Sequence, residues 1–285
     1  MRAYPEGAAQ KSSAVAAIEA AIASENLPGE DRARPASLAA IIAGSADPRA
    51  YERTMGIPGS LALLGDEVLA SYPEPEPARV FARSWVAAPE PGADLGGVPG
   101  AILLWFLDWA LASGVASNDA TLQELMIEIR SKHHELLQGS SVDRASWADA
   151  RRRALAFTDA AEGDSVLMGR LAETLAWPPL TARTVIAESL RIFADLVALL
   201  AQRTSGMGDE ERAAVRAVMD KLYEDTSDDR EANPDTYDFP GHFEARFPDE
   251  FARFVADMNI GNDAFATAFA DTGKYALSLI INTRA

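Results

Sequence analysis

Asp108 lies between Trp105 and Trp109 in an otherwise apolar run, Val98 to Ala116. A carboxylate in such surroundings must be paired, hydrogen-bonded or protonated, because moving a charge out of water is costly. It is a candidate catalytic acid or ligand anchor, with Trp105 and Trp109 as candidate ligand-binding walls. The alternative is a plain ion pair with an arginine such as Arg79 or Arg83. His133 is the second candidate. On a helix over 119–138, Leu122, Met126, Ile129, His133 and Leu136/Leu137 form one stripe, which puts the imidazole on an apolar face. Such a histidine is either a neutral core residue with hydrogen-bonded ring nitrogens or a general base in a helical pocket. If Asp108 and His133 meet, they form the first-choice site.

Other chemistries fail on residue type or spacing. The chain has no Cys and only three His, which removes disulfides, thiol nucleophiles and Cys zinc sites and leaves no expected metal or cofactor. His133-His134-Glu135 resembles a fragment of the hemerythrin-type cation motif, but the chain has too few histidines to complete it. The Glu-x-x-His signature of carboxylate-bridged di-iron bundles is missing, since Arg130, Ser131 and Phe239 stand three before the histidines. From Asp229, Asp, Glu, Asn and Asp fall at calcium-loop positions, but Pro234 replaces the turn glycine and Pro240 the bidentate glutamate. Asp228-Asp229 lacks the third aspartate of a terpene-synthase motif, position 232 being Ala. That acidic stretch therefore reads as a solvated loop. There is no His-Glu-x-x-His, Gly-x-Ser-x-Gly, P-loop or dinucleotide fingerprint.

With Lys+Arg 26 against Asp+Glu 43, the net charge of −17 argues against nucleic-acid or anionic-membrane binding. Arg151-Arg152-Arg153 reads as a solvated patch. Val98 to Ala116 approaches the length of a membrane span, but Asp108 at its centre and Pro99-Gly100 at its start favour a buried core helix. Ala14 to Ala23 carries Glu19 and is too alanine-rich for a secretory signal, so a cytoplasmic location is expected.

The elements that must position these groups read as helices. Alanine is abundant, helical spacing recurs in nearly every segment, and the alternating signals of a parallel sheet are missing. Helices are expected over 12–24, from Asp47-Pro48, 58–72, 78–88, 99–113, 119–138, 143–161, 164–176, 181–203 and 209–225, with Asn118-Asp119, Asp143, Thr181 and Asp209 as caps. Pro73-Glu-Pro-Glu-Pro77 reads as a stiff extended connector. Pro89 to Gly100, with four glycines, is the best candidate boundary. The 181–203 helix has the widest apolar arc and should be central, with Arg191 and Asp195 spaced for an exposed ion pair. Pro248 should interrupt the C-terminal segment, with helices over 249–258 and 262–270 and an ambiguous run Leu277 to Ile281.

The expected fold is all-α, roughly ten to twelve helices in one irregular bundle or two contiguous subdomains. Segments 1–88, 99–225 and 239–285 are the candidate divisions, with the last packed on the bundle, or the whole as one unit. Phe243, Phe247, Phe251 and Phe254 form an aromatic stripe. It either packs inward or docks a protein partner or a second copy of the chain, as in a homo-oligomer. Two functions stay open. One is a helical protein acting through protein contacts. The other is a protein or enzyme that takes a small apolar molecule into an internal pocket using Asp108 and His133.

Overall fold

The computed structural model describes residues 1–29, 36–114, 119–204, 207–234 and 236–283. It is all-α: fourteen α-helices and no strand among the described residues, twelve of the helices seven residues or longer. In chain order these are α1 (Ala8–Ala23), α2 (Leu38–Ala43), α3 (Pro48–Met55), α4 (Gly59–Ser71), α5 (Pro75–Ala87), α6 (Val98–Ala112) and α7 (Ala120–Leu137). Then come α8 (Arg144–Ala160), α9 (Ser165–Leu175), α10 (Val185–Thr204), α11 (Asp209–Asp225), α12 (Ser227–Ala232), α13 (Phe239–Arg246) and α14 (Pro248–Asn282). The chain forms two compact units, Met1–Leu196 with Ala266–Ala285, and Val197–Phe265.

Several helix starts follow the expected chemistry. Asp47 caps α3 by accepting from Arg49 N–H, and Asp119 caps α7 by accepting from Thr121 and Leu122 N–H. Both satisfy amides that have no intrahelical partner. Asn118 lies outside the described residues. Asp143 flanks α8 without a capping bond, and α10 begins at Val185, past Thr181.

Three local expectations are corrected. Pro75 and Pro77 do not form an extended connector: they occupy the first turn of α5, where a missing N–H costs nothing. The acidic stretch is not all loop, because Ser227–Ala232 makes α12 with Asp228 and Asp229 in its first turn, where carboxylates favour the helix N-terminus. Asp235 lies outside the described residues. The C-terminal region is one 35-residue helix, α14, that starts at Pro248 and runs through Gly261 and Leu277–Ile281. Proline interrupts the Phe stripe only between α13 and α14.

In the first unit, α6 is a core helix, with Ile102, Leu103, Phe106, Leu107 and Ala110 buried. The 18 residues Leu95–Ala112 are apolar enough by composition to cross a bilayer, and 56% of that stretch is buried in the fold. Phe193 of α10 sits among Trp105, Phe106 and Trp109, with ring centroids 5.3, 4.9 and 4.7 Å away. From Val185 to Leu196 the apolar side of α10 is buried, as its wide arc predicts. Arg191 instead pairs with Glu67 of α4, not with Asp195. Gly273 of α14 packs so closely that a Cβ would lie 2.9 Å from both the Phe81 and Val68 side chains. The loop before α6 is pinned by the N-terminal residues: Ala3 N–H donates to Ala93 C=O (2.9 Å) and Gly92 N–H to Ala3 C=O (2.7 Å).

The second unit is built around Val215, Leu222 and Phe243, with Met207, Val218, Met219, Phe239, Phe247, Phe251 and Phe254 half-buried against them. Arg212 is held there by Asp257 (3.2 Å) and by the Gln202 carbonyl.

Candidate functional site

Asp108 is not an interior acid. Its side chain is 52% exposed and pairs with Arg130 of α7, Nε to Oδ1 2.5 Å. Arg79 and Arg83 go elsewhere, to Glu25 and Glu19. The reason is helical geometry. Trp105, Asp108 and Trp109 stand at i, i+3 and i+4, so they share the one side of α6 that is not fully covered. Both tryptophans are engaged by other rings. Trp105 stacks on Tyr275 of α14 (5.1 Å, 23° between planes), and Trp109 meets Phe193 edge-on. Burial and the neighbouring Asp108 carboxylate both push the Tyr275 phenol upward from its ordinary pKa.

His133 is fully buried, as the stripe on α7 predicts. Its Nε2 lies 2.7 Å from the carbonyl oxygen of Leu175, the last residue of α9, and a carbonyl only accepts, so Nε2–H donates. Burial is the larger influence and lowers the imidazole pKa to about 4, against the opposing pull of the Leu175 hydrogen bond. The histidine is therefore neutral at pH 7, with Nδ1 unpartnered among the described residues. Asp108 and His133 thus have separate partners and separate environments: Arg130 at the surface for one, the end of α9 for the other.

A different set of residues forms a site around that helix end. The C-terminal carbonyls of a helix need donors from outside it. At α9, His133 of α7 supplies one to Leu175, and Arg151 of α8 supplies another to the Ala176 carbonyl at 3.2 Å. The chain then turns through Trp177-Pro178-Pro179, where proline ends helical pairing, and Thr181 Oγ1 donates to the Pro178 carbonyl at 3.1 Å. This turn faces α7 and α8 across a cleft of about 590 Å³, lined by Leu136, Val142, Arg144, Trp147, Arg151, Trp177, Pro178 and Thr181. Trp147 forms a buried wall and meets the His133 ring at 4.9 Å. Trp177 is 42% exposed, and the Arg151 guanidinium lies over it, 3.7 Å from the ring centroid.

Arg144 and Arg151 make no ion pair among the described residues, unlike their neighbours Arg152, which meets Asp149, and Arg153, which meets Glu128. Burial is the first cause that lowers the Arg151 pKa, the like charge of Arg144 acts the same way, and Glu173 opposes them. The three consecutive arginines therefore differ in role: two are solvated and paired, while Arg151 turns into the cleft. By sequence all three read as surface, and Trp177-Pro178-Pro179 as a helix stop only. The signal that could have found the cleft is Arg144, Trp147 and Arg151 at i, i+3 and i+7, which share one face of α8.

Of the aromatic stripe, Phe243 is buried and Phe247, Phe251 and Phe254 are half-buried. Phe243 is 1% exposed, and Phe251 and Phe254 meet its ring at 5.5 and 6.0 Å. No group of three or more His, Asp or Glu suited to a metal ion occurs among the described residues. No protein-family model matches the chain, and no curated protein or solved structure matches it.

Proposed function

We propose that this protein binds a small molecule in the cleft between α7, α8 and the Trp177–Thr181 turn. The observation that carries the reading is the lining itself: two tryptophans and two guanidiniums without carboxylate partners among the described residues, around a 590 Å³ space. Ligand clefts typically have roughly 300–1,000 Å³, apolar walls and a few convergent polar groups. The pocket expected at Asp108 and His133 is replaced by one that His133 supports from behind Trp147, without lining it. Binding, and not catalysis, is what these groups support, since the described lining holds no carboxylate, imidazole or activated nucleophile placed to act on an occupant. A cytoplasmic location belongs to the same proposal and rests on the alanine-rich, Glu19-bearing stretch Ala14 to Ala23, which makes a poor secretory signal.

The test is a fragment screen by ligand-observed NMR on the wild type and on Thr181→Trp, which fills the cleft from its exposed rim. Fragments that bind the wild type and are lost in the variant support the reading. Equal binding to both proteins refutes it.

A second reading, association of two copies through the second unit, is favoured by its thin core. Among the described residues, only Val215, Leu222 and Phe243 are buried in its main apolar cluster, and seven more apolar side chains stay half-buried around them. Units this small bury a low fraction of their surface and are marginal alone.

A further inference from the structure

Arg144 and Arg151 are seven residues apart on α8, so they project from one face with Trp147 between them. The chain has 43 acidic residues against 26 Lys and Arg, so carboxylates outnumber the cations they could pair with. Arg130, Arg183 and Arg191 each find one, at Asp108, Glu52 and Glu67. Among the described residues the two at the cleft form no ion pair; Arg144 acts on Arg151 as a like charge, and Glu173 offsets it only from a distance. Such a pair is relieved by an oxyanion, which guanidinium forks bind with paired N–H donors.

The rest of the lining is flat and apolar. Trp147 is a rigid buried wall, Trp177 presents an exposed ring, and Leu136, Val142 and Pro178 complete the surface. Arg151 is already oriented by its stack on Trp177 and its bond to the Ala176 carbonyl, so little of its freedom is left to lose on binding.

We propose that the occupant of this cleft is a planar apolar anion, its carboxylate or phosphate shared by Arg144 and Arg151 and its ring system lying against Trp147 and Trp177. This assignment rests on the binding reading above and adds the chemical class of the ligand. The carboxylate and phosphate forms share the recognition chemistry and are separated by the probes below.

The experiment titrates the full chain with 1-naphthoate, 1-naphthyl phosphate and the neutral 1-naphthalenemethanol, followed by calorimetry and tryptophan fluorescence. One or both anions bind, and the alcohol binds at least about tenfold more weakly, the size expected for charge-assisted hydrogen bonds. Arg144→Gln, at an exposed position that does not threaten the fold, weakens the anions by about the same factor and leaves the alcohol unchanged. Arg151→Gln weakens the anions too, but it also removes the bond to Ala176 and the stack on Trp177, so Arg144→Gln is the deciding variant; Arg152→Gln, outside the cleft, changes nothing. Alcohol binding as tight as the anions, or anion binding untouched by Arg144→Gln, overturns the anion proposal while leaving the cleft a binding site. Absence of binding by all three probes overturns the anion proposal, and the fragment screen then decides separately whether the cleft binds at all.

Discussion

Two titratable groups of the first unit, half-buried Asp66 and fully buried His133, act on stability in opposite directions as pH falls. Asp66 of α4 accepts from Leu38 N–H at 2.7 Å. Burial raises its pKa from 3.8 to about 7, the Leu38 bond opposes this, and Glu67 adds to it. A carboxyl whose folded pKa is raised stabilises fully below its unfolded value, and that contribution is lost as pH rises through 7. His133 is the reverse case, lowered from 6.5 to about 4 by burial. Its contribution is complete above 6.5 and is lost as pH falls toward 4. Between pH 7 and pH 4.5, linkage gives a gain of about 3 kcal/mol from Asp66 and a loss of about 2.5 kcal/mol from His133. The two nearly cancel in the wild type. Asp66→Asn keeps an acceptor oxygen for Leu38, and His133→Gln keeps a donor for Leu175. All five tryptophans fall in Met1–Leu196, so urea unfolding followed by tryptophan fluorescence reads this unit alone. Relative to wild type, Asp66→Asn should lose about 3 kcal/mol on going from pH 7 to 4.5, and His133→Gln should gain about 2.5 kcal/mol. Subtracting the wild type removes the titrations common to all three proteins. A difference that stays constant with pH for either variant refutes the burial assigned to that group.

Two other measurements address packing and association. Gly273→Val forces new atoms against Phe81 and Val68, whose side chains stand 2.9 Å from the place a Cβ would take, and should cost about 1–3 kcal/mol in the same urea assay. Unchanged stability would mean that α14 does not approach α4 and α5 that closely. For the second reading of function, sedimentation equilibrium over a wide concentration range should give twice the 30.5 kDa chain mass; a single-chain mass throughout refutes association.

Much of the fold was legible in residue spacing because helices declare themselves locally. The stripe on α7 put His133 inside, and the arc of α10 put Ile186, Leu190 and Phe193 in the core. Proline misled where its position within the helix mattered more than its presence. Pro75 and Pro77 fall in a first turn, which tolerates proline, so an expected connector became a helix; Pro248 does interrupt the C-terminal segment, between α13 and α14, and the miss there is that α14 continues past Met258. Asp108 misled because a run of apolar letters hides a face. Spacing from Trp105 and Trp109 marks the partly open side of α6, and tryptophan, large and amphipathic, suits such a side. The cleft was not legible. Its residues come from three segments between Leu136 and Thr181, and only tertiary packing brings Arg151 over Trp177.

The anchoring of α9 by His133 and Arg151 divides the site into a frame and an insert. The donors that hold Leu175 and Ala176 stand on α7 and α8, outside the turn that presents Trp177 and Thr181. The exposed positions of the insert, Leu180 and Thr181, can therefore be rewritten while its attachment point stays fixed, whereas Pro179 is buried and Trp177 holds the Arg151 guanidinium. For a protein engineer, Leu180 and Thr181 are the adjustable positions on a helical chassis, and ligand preference can be varied there without touching the contacts that hold Arg151.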